Sequence, residues 1–375
     1  MADGRPLYVA RPDLPPLQDL LPALEELWQS RILSNEGRYH DEFEAALASY
    51  LGVDHVSLVT NATSGLLLAL LQAGLTGQVI TTPFSFVGTS HALRLAGLEP
   101  VFADIDPISL NLNPESAAEA VTSATSALLP VHIFGRACDT AALDNLAEQH
   151  DLKLIYDAAH AFAVNDKGGS VLRHGDMSVL SFHATKVFNT FEGGAVISNN
   201  AMTKAAVDEL RNFGIIDEVT VSRVGMNAKM NEFCAAVGLL QLVHIDDNIA
   251  KRGIVDARYR ELLANIEGVS CLPAMSAQTQ NHYSFPVLVD AGARYSRDEL
   301  YNKLQKQGVH ARRYFYPLIS ALPMYRHLPS ARPENLPVAH DIAARILCLP
   351  MFPDLTADEQ ERVAGIIADA AIGAV

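Results

Sequence analysis

The sequence is poor in the residues and runs that build disulfide frameworks and membrane spans. Its four cysteines among 375 residues form no C-x-x-C pair, so no disulfide framework or thiolate metal site is predicted. No uninterrupted apolar run reaches the roughly 18 residues of a spanning helix. The N-terminus lacks a basic region followed by an apolar stretch. We therefore expect a reduced, cytoplasmic protein that does not cross a membrane.

Positive charge is also scarce. The chain has 28 Lys and Arg against 43 Asp and Glu, a formal net charge of -15. Nucleic acids and anionic membranes attract clustered basic residues, so neither is expected as a partner. The sequence also lacks the patterns G-x-x-x-x-G-K-[ST] and G-x-G-x-x-G, which leaves ATP and NAD weakly supported. A phosphorylated ligand would need positive potential supplied locally by backbone N–H groups.

What the chain does contain is an alternation of short apolar runs and longer helical patterns. This rhythm predicts βα repeats and an α/β fold with a mostly parallel sheet. Each predicted strand ends in a polar or small-residue loop, where open α/β sheets bind their ligands. The segments are HVSLVT, SGLLLALLQAG, QVITTPFSF, HALRLAG, PVFADID, SALLPVHIFG, AALDNLAEQHD and LKLIYDAAH.

The pattern changes near residue 246. Residues 1–245 are predicted to form a large domain that begins with a helical segment of about 50 residues. Residues 246–375 combine a long helix, the alternating strand HYSFPVLVD, the Arg-rich strand VHARRYFYP and a closing helix. We therefore predict a smaller C-terminal α+β domain.

The most informative stretch is SFHATKVFNTFEGGAVIS, residues 181–198. It places Lys186 in a short polar loop between two strand-like runs, followed by a pair of glycines. Taken alone, Lys186 fits a solvated surface lysine, which is the commonest use of the residue. Two other features favour a chemical role.

The first feature is Asp157, at the end of the strand-like run Ile155–Asp157 and before small residues. It could simply cap a helix. Alternatively, a carboxylate there could face a ring nitrogen. A pyridine nitrogen kept protonated lets the ring of pyridoxal phosphate (PLP) accept electrons from a substrate carbon. His160 would then lie over or beside that ring.

The second feature is the run Asn61-Ala62-Thr63-Ser64-Gly65, which joins a strand to an apolar helix. Free N–H groups and the helix dipole make such a helix start an anion site, and Thr63 and Ser64 add hydroxyl donors. An ordinary polar helix cap explains the same residues. The run is thus a phosphate candidate.

In this order, the helix start, the strand-end Asp and the looped Lys resemble the DegT/DnrJ/EryC1/StrS sugar aminotransferase family, of fold type I among PLP enzymes. The likeness covers nearly the whole chain. It is carried by LSNEGRYHDEFEAALASYLG, NATSGLLLAL, TPFSFVGTSHAL, PVFADIDP, LPVHIFGRACD, DAAHAF, GGSVLRHGDMSVLSFHATK and GMNAKMNEFCAAVGLLQL. The resemblance implies PLP as the cofactor.

The resemblance also implies roles for single residues. Lys186 becomes the Schiff-base lysine and Asp157 the partner of the pyridinium nitrogen. His160 stands where the family often has Gln near the cofactor's phenolic oxygen. Phe86 would stack on the cofactor ring, although a core aromatic remains an alternative. The implied phosphate ligands are Ala62, Thr63, Ser64 and Ser181.

The resemblance further implies a homodimer with shared active sites. Asn227 resembles the residue that reaches the phosphate of the neighbouring subunit's cofactor, although a turn residue is the commoner use of Asn. The family usually has Arg where this chain has Lys229. That difference weakens any role for the Lys229 side chain.

The implied substrates are L-glutamate and a nucleotide-linked keto sugar, in deoxyaminosugar synthesis such as that of lipopolysaccharide O-antigen. His183 and the following run VFNTFEGG resemble members that aminate C4 of dTDP-4-keto-6-deoxy-D-glucose. A packed core histidine is the alternative for His183. Arginine forks suit the sugar diphosphate. The candidates are Arg312 and Arg313, with Arg31 and Arg38.

Other functions are less well supported. C3-directed members more often carry a Tyr-Pro-Gly-Lys type sequence at the Schiff-base lysine, and related dehydratases replace that lysine with His. A nicotinamide-dependent sugar oxidoreductase would need the missing Gly-rich fingerprint. A non-catalytic regulatory relative would not need an intact Lys186, Asp157 and Ser181.

Overall fold

A computed structural model of the chain describes residues 6–275 and 278–373. The helices are α1 Leu17–Ser30, α2 Arg38–Leu51, α3 Ala62–Gln72, α4 Gly88–Leu95, α5 Pro114–Glu119, α6 Thr140–His150, α7 Ala201–Arg211, α8 Glu232–Leu263, α9 Arg297–Lys306, α10 Pro337–Arg345 and α11 Ala357–Ile372. The strands are β1 Leu7–Tyr8, β2 His55–Val59, β3 Gln78–Thr81, β4 Glu99–Phe102, β5 Thr125–Leu129, β6 Lys153–Asp157, β7 Asn165–Asp166, β8 Gly169–Ser170, β9 Met177–Ser181, β10 Gly194–Ser198, β11 Val269–Cys271, β12 Phe285–Val289, β13 Val309–His310 and β14 Ile346–Leu349.

Seven strands form the central sheet, in the order β2-β10-β9-β6-β5-β3-β4. β10 is antiparallel to both of its neighbours, β2 and β9. The remaining pairs are parallel. The predicted α/β fold with a mostly parallel sheet is thus confirmed. Because six strands run the same way, the carboxyl ends of β2, β3, β4, β5, β6 and β9 meet at one edge.

Helices cover both faces of this sheet. Along β9, Val179 packs with Leu66 of α3, whereas the next residue, Leu180, packs with Phe43 of α2. Every residue of β9 and β10 is buried, as expected for strands covered on both faces. A Cβ on Gly65 would lie 2.9 Å from the Val179 side chain, so α3 sits directly against the sheet.

Asparagine caps fix where several helices begin. The Asn61 side chain accepts from the Ser64 N–H at 2.9 Å, and Asn231 does the same for Cys234 at 2.9 Å. Such caps stabilise the free N–H groups of the first helical turn. The cap at Asn231 starts α8 well before the predicted long helix.

The C-terminal part contains a three-stranded antiparallel sheet, β11-β12-β14, covered by α8, α9 and α11. β1 pairs in parallel with β13, so Leu7 and Tyr8 lie against this region. The predicted Arg-rich strand is shorter than expected, because only Val309 and His310 pair as a strand. Helix α8 runs across residue 245, the predicted domain boundary, and the division into domains stays a prediction.

By length and composition, α8 could cross a membrane, and its most apolar window is 44% buried inside the protein. A core helix passes the same test, so the feature is weak evidence for a span. The buried residues of α8 include Val255 and Tyr259, which belong to the C-terminal core. The four cysteines are free thiols.

Candidate active site

The residues predicted from the sequence to act together lie at the carboxyl edge of the central sheet. Asp157 ends β6 and Ser181 ends β9, which pair in parallel. The β2–α3 connection contains Asn61, and the β9–β10 loop contains Lys186. Adjacent parallel strands deliver their loops to the same edge. The sheet order therefore brings together residues that lie far apart along the chain.

Lys186 is half-buried in a tight turn, where its N–H bonds to the His183 carbonyl at 2.9 Å. Its amine donates to the Tyr283 hydroxyl at 3.3 Å and lies 4.9 Å from the centre of that ring. Burial lowers the pKa of Lys186 to about 8, and the charge of Asp157 opposes the shift. An amine with this pKa can be neutral near physiological pH and can carry a proton.

Asp157 is buried, with 6% of its surface exposed. One carboxylate oxygen accepts from the Thr89 hydroxyl at 2.7 Å, and the other from the Ala159 N–H at 3.1 Å. Thr89 is in turn 2.9 Å from the Ser85 hydroxyl. Burial raises the pKa of Asp157, while these two hydrogen bonds and Lys186 oppose the rise. A nearby cation would therefore stabilise the ionised carboxylate strongly.

His160 is buried and stacks on Tyr283, with ring centroids 4.3 Å apart and an interplanar angle of 15°. Its Nδ1 accepts from the Phe134 N–H at 3.2 Å. Burial lowers the pKa of His160 well below its usual value, and Lys186 contributes to this shift. The ring is thus neutral, and because Nδ1 accepts, its proton lies on Nε2, where it can be donated.

The start of α3 has the geometry of an anion site. The Asn61 side chain accepts from the Ser64 N–H and its carbonyl accepts from the Gly65 N–H, whereas the N–H groups of Ala62 and Thr63 have no intrahelical partner. Gly194 brings β10 close to this turn, because a Cβ there would lie 3.0 Å from the Ala62 nitrogen. Buried Ser181 lies beside Gly194 in the β9–β10 register. The site therefore offers backbone donors, a helix dipole and hydroxyls.

Phe86 is 63% exposed, which excludes the core-aromatic interpretation. A Cβ on Gly88 would lie 3.2 Å from the Phe86 ring and 3.5 Å from the Thr63 hydroxyl. Phe86 therefore stands beside the start of α3. An exposed ring next to an anion site suits the stacking of a flat, phosphorylated ligand.

His183, predicted to bind the substrate, and Asn227, predicted to reach the neighbouring subunit's cofactor, both lie on the surface. His183 is exposed, hydrogen-bonded to Thr185 at 2.9 Å and 3.8 Å from Glu192, so it is not a packed core histidine. Asn227 is exposed, and its backbone pairs with that of Asn212.

The four candidate arginines differ in their partners. Arg313 is held by Asp298 at 2.9 Å and by the Tyr301 ring at 4.4 Å. Arg38 pairs with Glu26 and Glu42. Arg312 and Arg31 are exposed, and neither makes an ion pair within the described residues. The guanidinium groups of Arg312 and Arg31 are therefore the most available to bind a diphosphate.

Two residues of the site were not predicted from the sequence. Thr89 bonds Asp157, and the spacing Ser85-x-x-x-Thr89 at the start of α4 was the available signal. Tyr283 contacts Lys186 and His160 from an irregular segment between β11 and β12. No periodicity or motif marks such a segment.

These features fit pyridoxal phosphate. The site has a half-buried amine of lowered pKa, a buried carboxylate, a helix start suited to phosphate and an exposed aromatic ring. Fold and site define a PLP-dependent transferase of fold type I. The chain belongs to the DegT/DnrJ/EryC1/StrS aminotransferase family, whose model matches residues 18–368. It is an aminotransferase, and its cofactor is PLP.

Alignments with known relatives cover almost the whole chain. The chain is 46% identical over 363 residues to the dTDP-4-amino-4,6-dideoxy-D-glucose transaminase of Shigella dysenteriae, covering 97% of this chain and 98% of that protein. The crystal structure of DesI in the presence of its TDP-sugar product superposes with a TM-score of 0.93 and 40% identity, covering 98% and 94%. The structure of NtdA from Bacillus subtilis, with bound cofactor PMP, has a TM-score of 0.85 and 25% identity, covering 95% and 82%.

Proposed function

We propose that this enzyme transfers an amino group from L-glutamate to C4 of dTDP-4-keto-6-deoxy-D-glucose, giving dTDP-4-amino-4,6-dideoxy-D-glucose. The observation that carries the proposal is the 46% identity, over nearly the full length of both chains, to the Shigella dysenteriae transaminase. The match of the backbone to DesI supports a nucleotide-linked sugar as substrate.

In this proposal, Lys186 is the covalent attachment point of the cofactor and the carrier of the proton. Bound PLP supplies an electron-accepting ring that stabilises negative charge at the substrate carbon. Once free of the cofactor, the Lys186 amine would act on the substrate carbon, because a pKa of about 8 would let it accept a proton there and return it. Asp157 would hold the ring nitrogen protonated. Burial disfavours the ionised form of this carboxylate, and a cationic neighbour offsets that cost.

We propose the remaining cofactor contacts from where the predicted residues lie around Lys186 and Asp157. His160, whose Nδ1 accepts a backbone hydrogen bond, would donate from Nε2 to the cofactor's phenolic oxygen, and the exposed Phe86 would stack on the cofactor ring. The phosphate is held by four residues at the start of α3 and the end of β9. These are Ala62, Thr63, Ser64 and Ser181.

For the sugar substrate, we propose that His183 lines the sugar subsite and that Arg312 binds the diphosphate. His183 is exposed on the same loop as Lys186. Arg312 is exposed and Arg313 is tied to Asp298, so Arg312 is the better phosphate ligand. Arg313 then supports the segment through its contacts with Tyr301 and Tyr316.

We also propose a homodimer in which Asn227 reaches the phosphate of the partner's cofactor. Support comes from an exposed apolar stretch just before Asn227, whose burial would favour association. Its exposed members are Phe213, Ile215, Ile216, Val219, Val221 and Val224. Mixing Lys186→Ala with Asn227→Ala protomers should restore part of the activity, because one site of each mixed dimer keeps both residues. Full activity in a strictly monomeric preparation would contradict the proposal.

A cytoplasmic location and a role in lipopolysaccharide O-antigen synthesis complete the proposal. Free cysteines suit a reducing compartment. Deleting the gene should remove the 4-amino sugar from the surface polysaccharide, and fractionation should recover the enzyme with cytoplasmic markers.

The decisive experiment offers the enzyme glutamate and a panel of dTDP-, UDP- and GDP-linked keto sugars. We expect an equatorial amine at C4 of dTDP-4-keto-6-deoxy-D-glucose and no product from the 3-keto isomer. A misplacement of about 1 Å between reacting atoms can lower the rate roughly a hundredfold, so position decides which ketone reacts. An amine at C3, or an axial amine at C4, seen by NMR would overturn this assignment.

A further inference from the structure

Tyr283 joins the C-terminal part of the chain to the reacting end of Lys186. It lies in the segment between β11 and β12, whereas Lys186 and His160 belong to loops of the central sheet. Its ring stacks on His160 at 4.3 Å and its hydroxyl lies 3.3 Å from the Lys186 amine. One side chain thus contacts both.

The backbone around Tyr283 is held on two sides. On one side, buried Asn281 accepts from the Tyr283 N–H at 3.1 Å and donates to the carbonyls of His160 and Phe162 at 2.8 and 2.9 Å. On the other side, buried Arg252 donates to the Tyr283 carbonyl at 3.5 Å and to the Met351 carbonyl at 3.3 Å. These bonds fix where the phenol can point.

A small residue is needed for this arrangement. A Cβ on Gly135 would lie 2.4 Å from the Asn281 side-chain oxygen, and the φ of Gly135 is +76°. Only glycine meets both conditions without strain. The loop after β5 is therefore shaped to admit Asn281, which in turn positions Tyr283.

The phenol is the hydrogen-bond partner that the structure provides for the Lys186 amine. Within the described residues, no carboxylate lies within ion-pair distance of Lys186, and Asp157 acts on it only through its charge. Burial raises the pKa of Tyr283, so its hydroxyl stays protonated and its oxygen accepts.

We propose that Tyr283 is a positioning residue whose phenol oxygen holds the free amine of Lys186 whenever that amine is not covalently engaged. The inference rests on the proposed role of Lys186 and deepens it. After release by the amino donor, an unrestrained lysine would sample many rotamers. Held at the phenol, the amine stays next to the carbon that exchanges its proton, and stacking on His160 keeps the phenol in place.

The test uses the full-length, cofactor-free protein. Competitive labelling with trace acetic anhydride between pH 6 and 10, followed by mass spectrometry of the Lys186 peptide, gives the midpoint for deprotonation of this amine. We expect about 8 in the wild type. Tyr283→Phe keeps the ring but removes the acceptor of the charged amine, so the midpoint should fall by about one pH unit.

A matched control is Tyr50→Phe. Its phenol bonds Asp246 at 2.6 Å and its ring stacks on Phe162 at 5.7 Å, away from Lys186. This variant should leave the Lys186 midpoint unchanged. If Tyr283→Phe also leaves it unchanged, or raises it, Tyr283 serves only to pack His160 and the proposal is wrong.

A second measurement does not depend on the folding of Tyr283→Phe. In wild-type protein labelled with ¹³Cζ-tyrosine, one resonance should titrate with the Lys186 midpoint, and this titration should vanish in Lys186→Met. Absence of such a resonance overturns the proposal. Because neither measurement involves cofactor or sugar, failure to aminate any keto sugar would refute the proposed function while leaving these results intact.

In the loaded enzyme, Tyr283→Phe should lower kcat and leave KM for the sugar nearly unchanged, since the phenol is assigned to the amine and not to the substrate. A change confined to KM would contradict this assignment.

Discussion

Two cationic side chains in this protein, the buried Arg211 and the half-buried Lys186, differ in what surrounds them. Arg211, at the end of α7, is 2% exposed and lies within 3.2 Å of the carboxylates of Glu36, Glu44 and Asp208. Lys186 lies against the Tyr283 ring and has the neutral phenol of that residue as its hydrogen-bond partner. The guanidinium is paired with carboxylates, whereas the amine has no carboxylate partner among the described residues and burial lowers its pKa to about 8. The first arrangement suits structure and the second suits proton transfer.

The largest effect is expected for Lys186→Ala, which should lower turnover by about 10⁴-fold or more, because the covalent attachment and the proton carrier are lost together. In the wild type, borohydride should fix the cofactor to the Lys186 peptide, as mass spectrometry can detect. The variant should keep its thermal unfolding midpoint, since no carboxylate loses a partner. Steady-state activity in the variant would contradict the role of Lys186 as cofactor attachment point and proton carrier.

Asp157→Asn is expected to have the next largest effect. An amide cannot stabilise a protonated ring nitrogen, so kcat should fall by about 10²–10³-fold, the usual result of removing one electrostatic contact at a reacting centre. Asp139→Asn is the matched control, because Asp139 caps α6 through an oxygen that Asn also supplies. Equal turnover of the two variants would show that Asp157 is only a structural acid.

Arg211→Met tests the structural cation. Removing it leaves three carboxylates without their shared partner, so the free energy of unfolding should fall by about 3–5 kcal/mol in urea titrations. The control is Arg223→Met, which breaks an exposed pair with Glu209 and should change stability by about 0–1 kcal/mol. Similar losses in both variants would mean that burial does not set the strength of this network.

The smallest effect is expected for Thr89→Val. It removes the hydroxyl that donates to Asp157 and lowers the pKa of that carboxyl. The pKa should therefore rise, and the acidic limb of kcat/KM should move up by about one pH unit. Thr89→Ser should restore the wild-type profile. A loss of activity that is equal at every pH would indicate a packing role for Thr89.

The sequence was sufficient to predict the sheet, and it also predicted candidate site residues that the sheet brings to one edge. Asp157 and Ser181 end adjacent strands and Lys186 lies in the loop after one of them, and parallel pairing brings such strand ends to the same edge. Apart from the family resemblance, Phe86 could not be distinguished from a core aromatic, because the sequence does not show whether a phenylalanine is exposed or buried.

The contribution of the C-terminal part was missed for a physical reason. Tyr283 reaches the site through Asn281, Arg252 and the shape of the loop at Gly135. These contacts join irregular segments, whose sequences show no periodic pattern of hydrophobic residues. The predicted long helix was also placed too late, because the cap at Asn231 starts α8 among small apolar residues before the charged helical pattern.

The pairing of β1 with β13 has a consequence for synthesis of the protein. Leu7 pairs with Val309, and Val9 accepts from the Met351 N–H at 2.9 Å. At about 5–20 residues per second, the ribosome needs roughly 15–60 s to reach β13 after it has made β1. The earliest segment therefore waits unpaired while the central sheet forms, and it docks only when the C-terminal part has been made.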